Sequence, residues 1–214
     1  MKKLQSAFCA ALMATTAFVA APALASEQGD FLIRLRGIGV LPDEDGSSNI
    51  NGSPEIDNDF VPEVDFTYFF TDNIAAELIL ATTQHDVKWN NSSVASQLDL
   101  GDVRLLPPTL TLQYHFNDVL TPGLKPYLGA GINYTVFYDE KVGNGFRDID
   151  YDDSFGAVFQ AGVDYELNDS WSVNLDVKHI MLNTDVRIDT GASIVDADVD
   201  IDPWIVGIGV GYRF

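Results

Sequence analysis

The stretch Trp204-Ile205-Val206-Gly207-Ile208-Gly209-Val210-Gly211-Tyr212-Arg213-Phe214 alternates with a period of two. Trp204, Val206, Ile208, Val210, Tyr212 and Phe214 make one large apolar face, while Ile205, three glycines and Arg213 make the other. Successive side chains of a β-strand point to opposite faces, so the large row must meet an apolar medium. That medium is a protein core or a lipid bilayer. Aromatics at both ends with aliphatics between them match the lipid face of a transmembrane barrel strand.

Working outward, seven more segments repeat the pattern, at about 30–40, 61–70, 74–84, 110–116, 125–138, 155–165 and 171–183. Phe31, Ile33 and Leu35 alternate with Arg34 and Arg36; Val64, Phe66, Tyr68 and Phe70 alternate with Glu63, Asp65 and Thr67. Leu128, Ala130, Ile132 and Tyr134 alternate with Tyr127, Gly129, Gly131 and Asn133. Short turns at 71–73, 117–123 and 168–170 take turns with long polar connections at 41–58, 85–105, 139–153 and 184–202. The expectation is an all-β fold: an eight-stranded, antiparallel, up-and-down transmembrane β-barrel with three short periplasmic turns and four long extracellular loops. A soluble barrel would turn its apolar face inward around a ligand. The opposite face carries Arg34, Arg36, Glu63, Glu77, Gln113, Asp164, Lys178 and Arg213, which does not suit an apolar pocket.

The amino terminus fits export. Lys2 and Lys3 precede an apolar run from Ala7 to Ala21, and Ala23-Leu24-Ala25 offers a cleavage site before Ser26. Residues 1–25 are read as a cleaved signal peptide and 26–214 as the barrel. Cys9, the only cysteine, lies in that leader, so the mature chain has no disulfide. The formal net charge is −20, and losing Lys2 and Lys3 with the leader takes it to −22. Nucleic acid is excluded as a partner, because its binding needs a clustered basic footprint. Mean hydropathy near zero is what alternating lipid-facing and interior residues produce.

Several segments together resemble one family. Leu106-Pro107-Pro108-Thr109, Lys125-Pro126-Tyr127-Leu128-Gly129-Ala130-Gly131-Ile132-Asn133-Tyr134-Thr135, Gln160-Ala161-Gly162-Val163-Asp164-Tyr165, Asp202-Pro203-Trp204 and Gly211-Tyr212-Arg213-Phe214 are similar to the OmpW family of bacterial outer-membrane proteins. The resemblance runs from Gly29 to Phe214. It implies an outer-membrane barrel with a narrow, partly apolar interior through which small hydrophobic molecules pass, with a sideways exit through the wall. It also implies that Tyr212 and Phe214 form the signal read by the barrel-assembly machinery. The acidic loops and the inward Lys178 depart from the family pattern.

Two functions from different classes follow. In the first, the lumen is a passive channel lined by Ile79, Gly129, Gly131, Val158, Gly162, Lys178, Ile180, Ile205, Gly207 and Gly209, since missing side chains leave space in a narrow barrel. The glycines can equally make room for inward arginines and Tyr127. In the second, the barrel is structural or interactive, with a filled lumen and acidic loops that bind cations or a surface partner. Either way, buried arginines need carboxylates, so Arg34, Arg36 and Arg213 are expected to pair with some of Glu63, Asp65, Glu77 and Asp164 in the lower lumen. Asp196, Asp198, Asp200 and Asp202 lie at period two beyond the membrane, where divalent cations could bridge them to lipopolysaccharide; Arg187 is the blander cross-strand partner. No calcium-loop spacing is present and no metal or cofactor is assigned. His85-Asp86, His115, His179 and the loop serines Ser47, Ser48, Ser92, Ser93 and Ser96 hold no nucleophile in a recognisable setting, so no enzyme is expected.

Deleting Phe214 should lower the amount of assembled barrel, read as folded monomer on unboiled gels. Transport per assembled barrel should change less.

Overall fold

The computed structural model describes residues 28–48, 53–91, 96–117, 121–143 and 145–214. The leader with Cys9 lies outside these residues, as do Ser92 and Ser93. Fifteen strands are described: β1 (Phe31–Leu41), β2 (Asp45–Ser48), β3 (Ser53–Ile56), β4 (Asp59–Phe69), β5 (Ile74–Ala81), β6 (Thr83–Asn91), β7 (Ser96–Leu106), β8 (Thr109–His115), β9 (Leu124–Val142), β10 (Asp148–Tyr151), β11 (Ser154–Glu166), β12 (Trp171–Met181), β13 (Asn183–Asp189), β14 (Ile194–Asp200) and β15 (Trp204–Arg213).

Eight of them, β1, β4, β5, β8, β9, β11, β12 and β15, close into an antiparallel barrel in chain order. β15 completes the ring against β1, from Leu32↔Arg213 to Leu41↔Trp204. Closure removes the unpaired edges that an open sheet would expose. The large row of each barrel strand points outward: Leu112, Ile132 and Ile208 are each 60% exposed. Uncovered aliphatics on every barrel strand form the band that lipid covers. Aromatic contacts flank that band. Phe31 meets Phe66 and Phe214, and Trp171 meets Tyr212, at the end with the short turns. Tyr134 meets Phe155, and His179 stacks on Trp204, at the other end.

The four long connections are not simple polar loops. Much of their length continues the wall as β-structure: β10, β13, β14 and β2 form a four-stranded sheet, and β3, β6 and β7 extend along the far end of β9. β9 has 19 residues, about 60 Å of strand at the usual rise, so it serves the membrane tier and the outer tier together. The alternation explains why these polar segments fold. Val195, Ala197 and Val199 are buried while Asp196, Asp198 and Asp200 face outward. Arg187 sits opposite Asp196 across β13–β14 and opposite Asp150 across β10–β13. The β7–β9 ladder shifts register between Asp102 and Arg104. Gly101, with φ of +113°, makes the nearby bend, and a Cβ there would collide with the Lys141 carbonyl oxygen.

Ile208→Arg places a charge on the exposed band of β15. It should cost about 2–4 kcal/mol if this position lies near the bilayer midplane, measured by reversible folding into lipid vesicles.

Candidate functional site

The alternation that points aliphatics at lipid points charge into the lumen. Arg34 and Arg36 rise from adjacent inward positions of β1 and are completely or almost completely buried. Register sets their first partners, with Arg34 opposite Asp65 and Arg36 opposite Glu63 on β4. Arg34 Nη1 donates to Glu77 Oε1 at 2.8 Å and to Thr67 Oγ1 at 2.8 Å. Its Nε and Nη2 grip Asp164 from the far side at 3.1 and 2.7 Å. Arg36 Nη1 donates to Glu63 Oε1 at 3.0 Å and stands 2.8 Å from Asp65 Oδ2, while Nε donates to Asn174 Oδ1 at 2.7 Å. Gln113 and Gln160 donate to Glu77 Oε2 at 2.6 and 2.8 Å. Tyr127 Oη donates to Asp176 Oδ2 at 2.6 Å.

Seven barrel strands thus send polar side chains across the lumen, and β15 supplies space. A Cβ on Gly209 would strike the Leu35 carbonyl and Arg36, one on Gly207 would crowd Ile38, and one on Gly162 would strike the Tyr127 ring. Gly129 makes room for Gln160, and Gly131 lies against the backbone at Leu110 and Thr111. These five glycines, expected as channel lining, are therefore corrected: the plug or a neighbouring strand occupies their volume. Arg213 also sits apart from its expected partners. It donates to Glu166 Oε1 at 2.6 Å and lies 3.6 Å from Asp30, below the central cluster. Arg34, Arg36, Glu63, Asp65, Glu77 and Asp164 do meet in one cluster.

Above the plug the interior becomes apolar. A cavity of about 80 Å³ has Ile38, Ile79, Leu105, Phe137, Ile180 and Ile205 on its wall. Val158 is buried in the same hydrophobic cluster. Glu63 and Lys178 close the bottom, with Lys178 Nζ donating to Glu63 Oε1 at 2.7 Å and lying 3.1 Å from Asp176 Oδ1. A second cavity of about 200 Å³ lies at the outer end, between Leu98, Phe146 and Val195. The two share Trp89, Leu100, Ile188 and Ala197 as lining. Two apolar cavities thus share part of their wall above a charged floor.

Two titratable groups of the outer tier also border the inner cavity. His85 Nδ1 is 2.8 Å from the Asp57 carbonyl oxygen, which orients the ring. Burial pushes the Tyr151 phenol well above its ordinary range, and the charge of Glu140 adds to the effect. A phenol so shifted stays neutral and suits an apolar wall.

The OmpW family model matches residues 27–214. The chain belongs to the OmpW family. It is 49% identical over 187 residues to the uncharacterized outer-membrane protein y4mB of Sinorhizobium fredii, covering 85% of this chain and 79% of that protein. It is 35% identical over 211 residues to outer membrane protein W of Vibrio cholerae, covering 95% and 97% of the two chains. The crystal structure of the outer-membrane protein OprG from Pseudomonas aeruginosa superposes with a TM-score of 0.80 at 32% identity, covering 89% of this chain and 98% of that one. As an OmpW-family barrel, this protein resides in the outer membrane, within its lipid.

Sequence reading did not assign the upper wall. Val87, Trp89, Leu100, Val103, Val186, Ile188 and Val199 sit in segments marked as polar loops. The signal was present in alternation, since Val186 and Ile188 interleave with Asp185, Arg187 and Asp189. Small apolar residues between the acids carry that signal weakly. Tyr127, expected on the inward face, joins Asp176 in the plug.

Arg34→Met should leave Asp164 without its arginine and Asp65 and Glu77 with Arg36 alone. A loss of about 3–5 kcal/mol of folding stability is expected, measured by urea unfolding in lipid vesicles.

Proposed function

We propose that this barrel gives small hydrophobic molecules a passive route from the cell exterior into the outer membrane, with a sideways exit through the wall. The observation that carries the reading is the pair of apolar cavities that share a wall above a charged floor. Entry is favoured because moving apolar surface from water into an apolar passage stabilises it by roughly 25 cal/mol per Å². Onward travel through the plug is disfavoured, because a solute there would separate buried ion pairs and leave charges without partners. An apolar solute at the floor therefore has only lateral or backward ways out.

The wall supplies a lateral one. The β5–β8 ladder ends at Ile79↔Thr109 and pairing resumes between β6 and β7 at Thr83↔Leu105. Between these points Leu80, Ala81 and Thr82 run past Leu106, Pro107 and Pro108. Proline has no backbone N–H to donate. The carbonyls of Pro107 and Pro108 turn to β9, where Asn133 Nδ2 and Tyr134 N donate at 3.1 and 3.0 Å. Ala81 and Pro107 both border the cavity, and Ala81 is the register partner of Glu63. The floor and the break are therefore at one level.

A filled lower lumen would serve a purely structural barrel equally well, but such a barrel gains nothing from an apolar conduit above it. In this reading residues 1–25 are the export leader and 26–214 the transporting barrel. The acidic outer face of β13 and β14 keeps the outer tier in water and faces lipopolysaccharide.

Cells that carry the protein should take up a hydrophobic solute faster than cells that lack it; equal uptake would end the reading. In planar bilayers the purified barrel should pass only small ion currents, and large steady currents would remove the plug. Pro107→Val with Pro108→Val, which restores backbone N–H donors beside the break, should slow uptake roughly fivefold if one ladder bond of about 1 kcal/mol forms across it. Unchanged uptake would place the exit elsewhere.

A further inference from the structure

We infer that Lys178 anchors the leading end of the solute, so that the conduit selects small apolar molecules bearing one neutral acceptor oxygen, such as ketones and alcohols. Hydrocarbons of equal size and carboxylates are disfavoured. This inference rests on the transport reading above and names its substrate class.

Among the described residues, Lys178 and Glu63 are the fully charged side chains on the wall of the inner cavity. The Lys178 ammonium carries three donors. One is directed to Glu63 Oε1 at 2.7 Å, and Asp176 Oδ1 lies 3.1 Å away, both belonging to the plug. Lys178 also lines the cavity, and two carboxylates engage at most two of its three donors, which leaves the third for an acceptor arriving from above. Ile180, two residues on along β12, and Ile205, its register partner on β15, flank the ammonium with apolar surface. A solute with an apolar body and an oxygen at one end matches both elements.

The same geometry excludes the neighbouring chemical classes. A hydrocarbon reaching the floor offers the ammonium no acceptor, whereas a carbonyl oxygen does. A site built to donate discriminates against the analogue that lacks the acceptor. A carboxylate meets two carboxylates, Glu63 and Asp176, already beside the same ammonium. Repulsion between like charges a few ångströms apart is strong when solvent is excluded.

The test compares ethylbenzene, acetophenone and benzoate, three solutes of similar size, in cells with and without the protein. Protein-dependent entry of acetophenone should exceed that of ethylbenzene by about fivefold, the worth of one modest hydrogen bond, with benzoate slowest. In Lys178→Met the ketone-to-hydrocarbon ratio should fall to about one, with folding checked on unboiled gels. Infrared spectra of carbonyl-labelled acetophenone bound to the purified wild-type barrel provide a second readout that needs no variant. The carbonyl stretch should lie below that of acetophenone in the same detergent without protein, and in a folded Lys178→Met barrel it should return to that value. Equal entry of ketone and hydrocarbon, a preference that survives Lys178→Met, or an unshifted carbonyl band would each overturn the inference. Passage of both solutes without preference overturns this inference alone; protein-independent entry of all three overturns the transport reading as well.

Discussion

Two arginine side chains buried in a lumen with no bulk water set the terms for the rest of the molecule. A guanidinium group removed from water costs several kcal/mol unless carboxylates and hydrogen-bond acceptors surround it. Arg34 and Arg36 therefore draw Glu63, Asp65, Glu77 and Asp164 toward one level of the barrel. That convergence needs room, and an eight-stranded barrel has little to spare. Gly207 and Gly209 on β15 and Gly162 on β11 are where the room comes from. Replacing such pairs with well-packed apolar residues can be neutral or stabilising, so their presence is better explained by what they do as a floor.

Above that floor the polarity of the wall inverts. In the membrane tier Ile208 faces outward and Arg36 inward; in the outer tier Asp198 faces outward and Val199 inward. The period of two is unchanged, and only the medium on each side differs. Lipid outside demands apolar residues there and leaves the interior free to be charged. Water outside demands charge there and leaves the interior free to be apolar. The acidic outer surface and the apolar interior of the outer tier are two faces of the same strands.

This inversion also explains what was legible in the sequence. The barrel strands could be read because their outward rows are long and aromatic-bounded, as in Trp204 to Phe214. Membership of the central ion cluster was legible because buried charge has few possible partners; Arg213 escaped the argument because Glu166 and Asp30 lie nearer to it than the acids above. The glycines misled for a physical reason. A missing side chain marks space, but sequence does not say which neighbour fills it, and Tyr127, Arg36 and Gln160 do. The outer tier was misread because aspartate-rich segments resemble loops, and the small residues between the acids, such as Ala197, give a weak apolar row.

A conduit with a floor does work only if its exit lies at the floor's level. Were the break in the wall higher, solute would leave before meeting Lys178, and the charged floor would have no influence on what passes. Were it lower, the exit would be sealed behind the ion pairs of Arg34 and Arg36. Register decides between these cases. Glu63 pairs with Ala81, and Ala81 runs past the two prolines at which the ladder lapses. The strand that brings Glu63 to Lys178 thus also sets the floor level with the lapse in pairing, as the proposed route of selection and release requires.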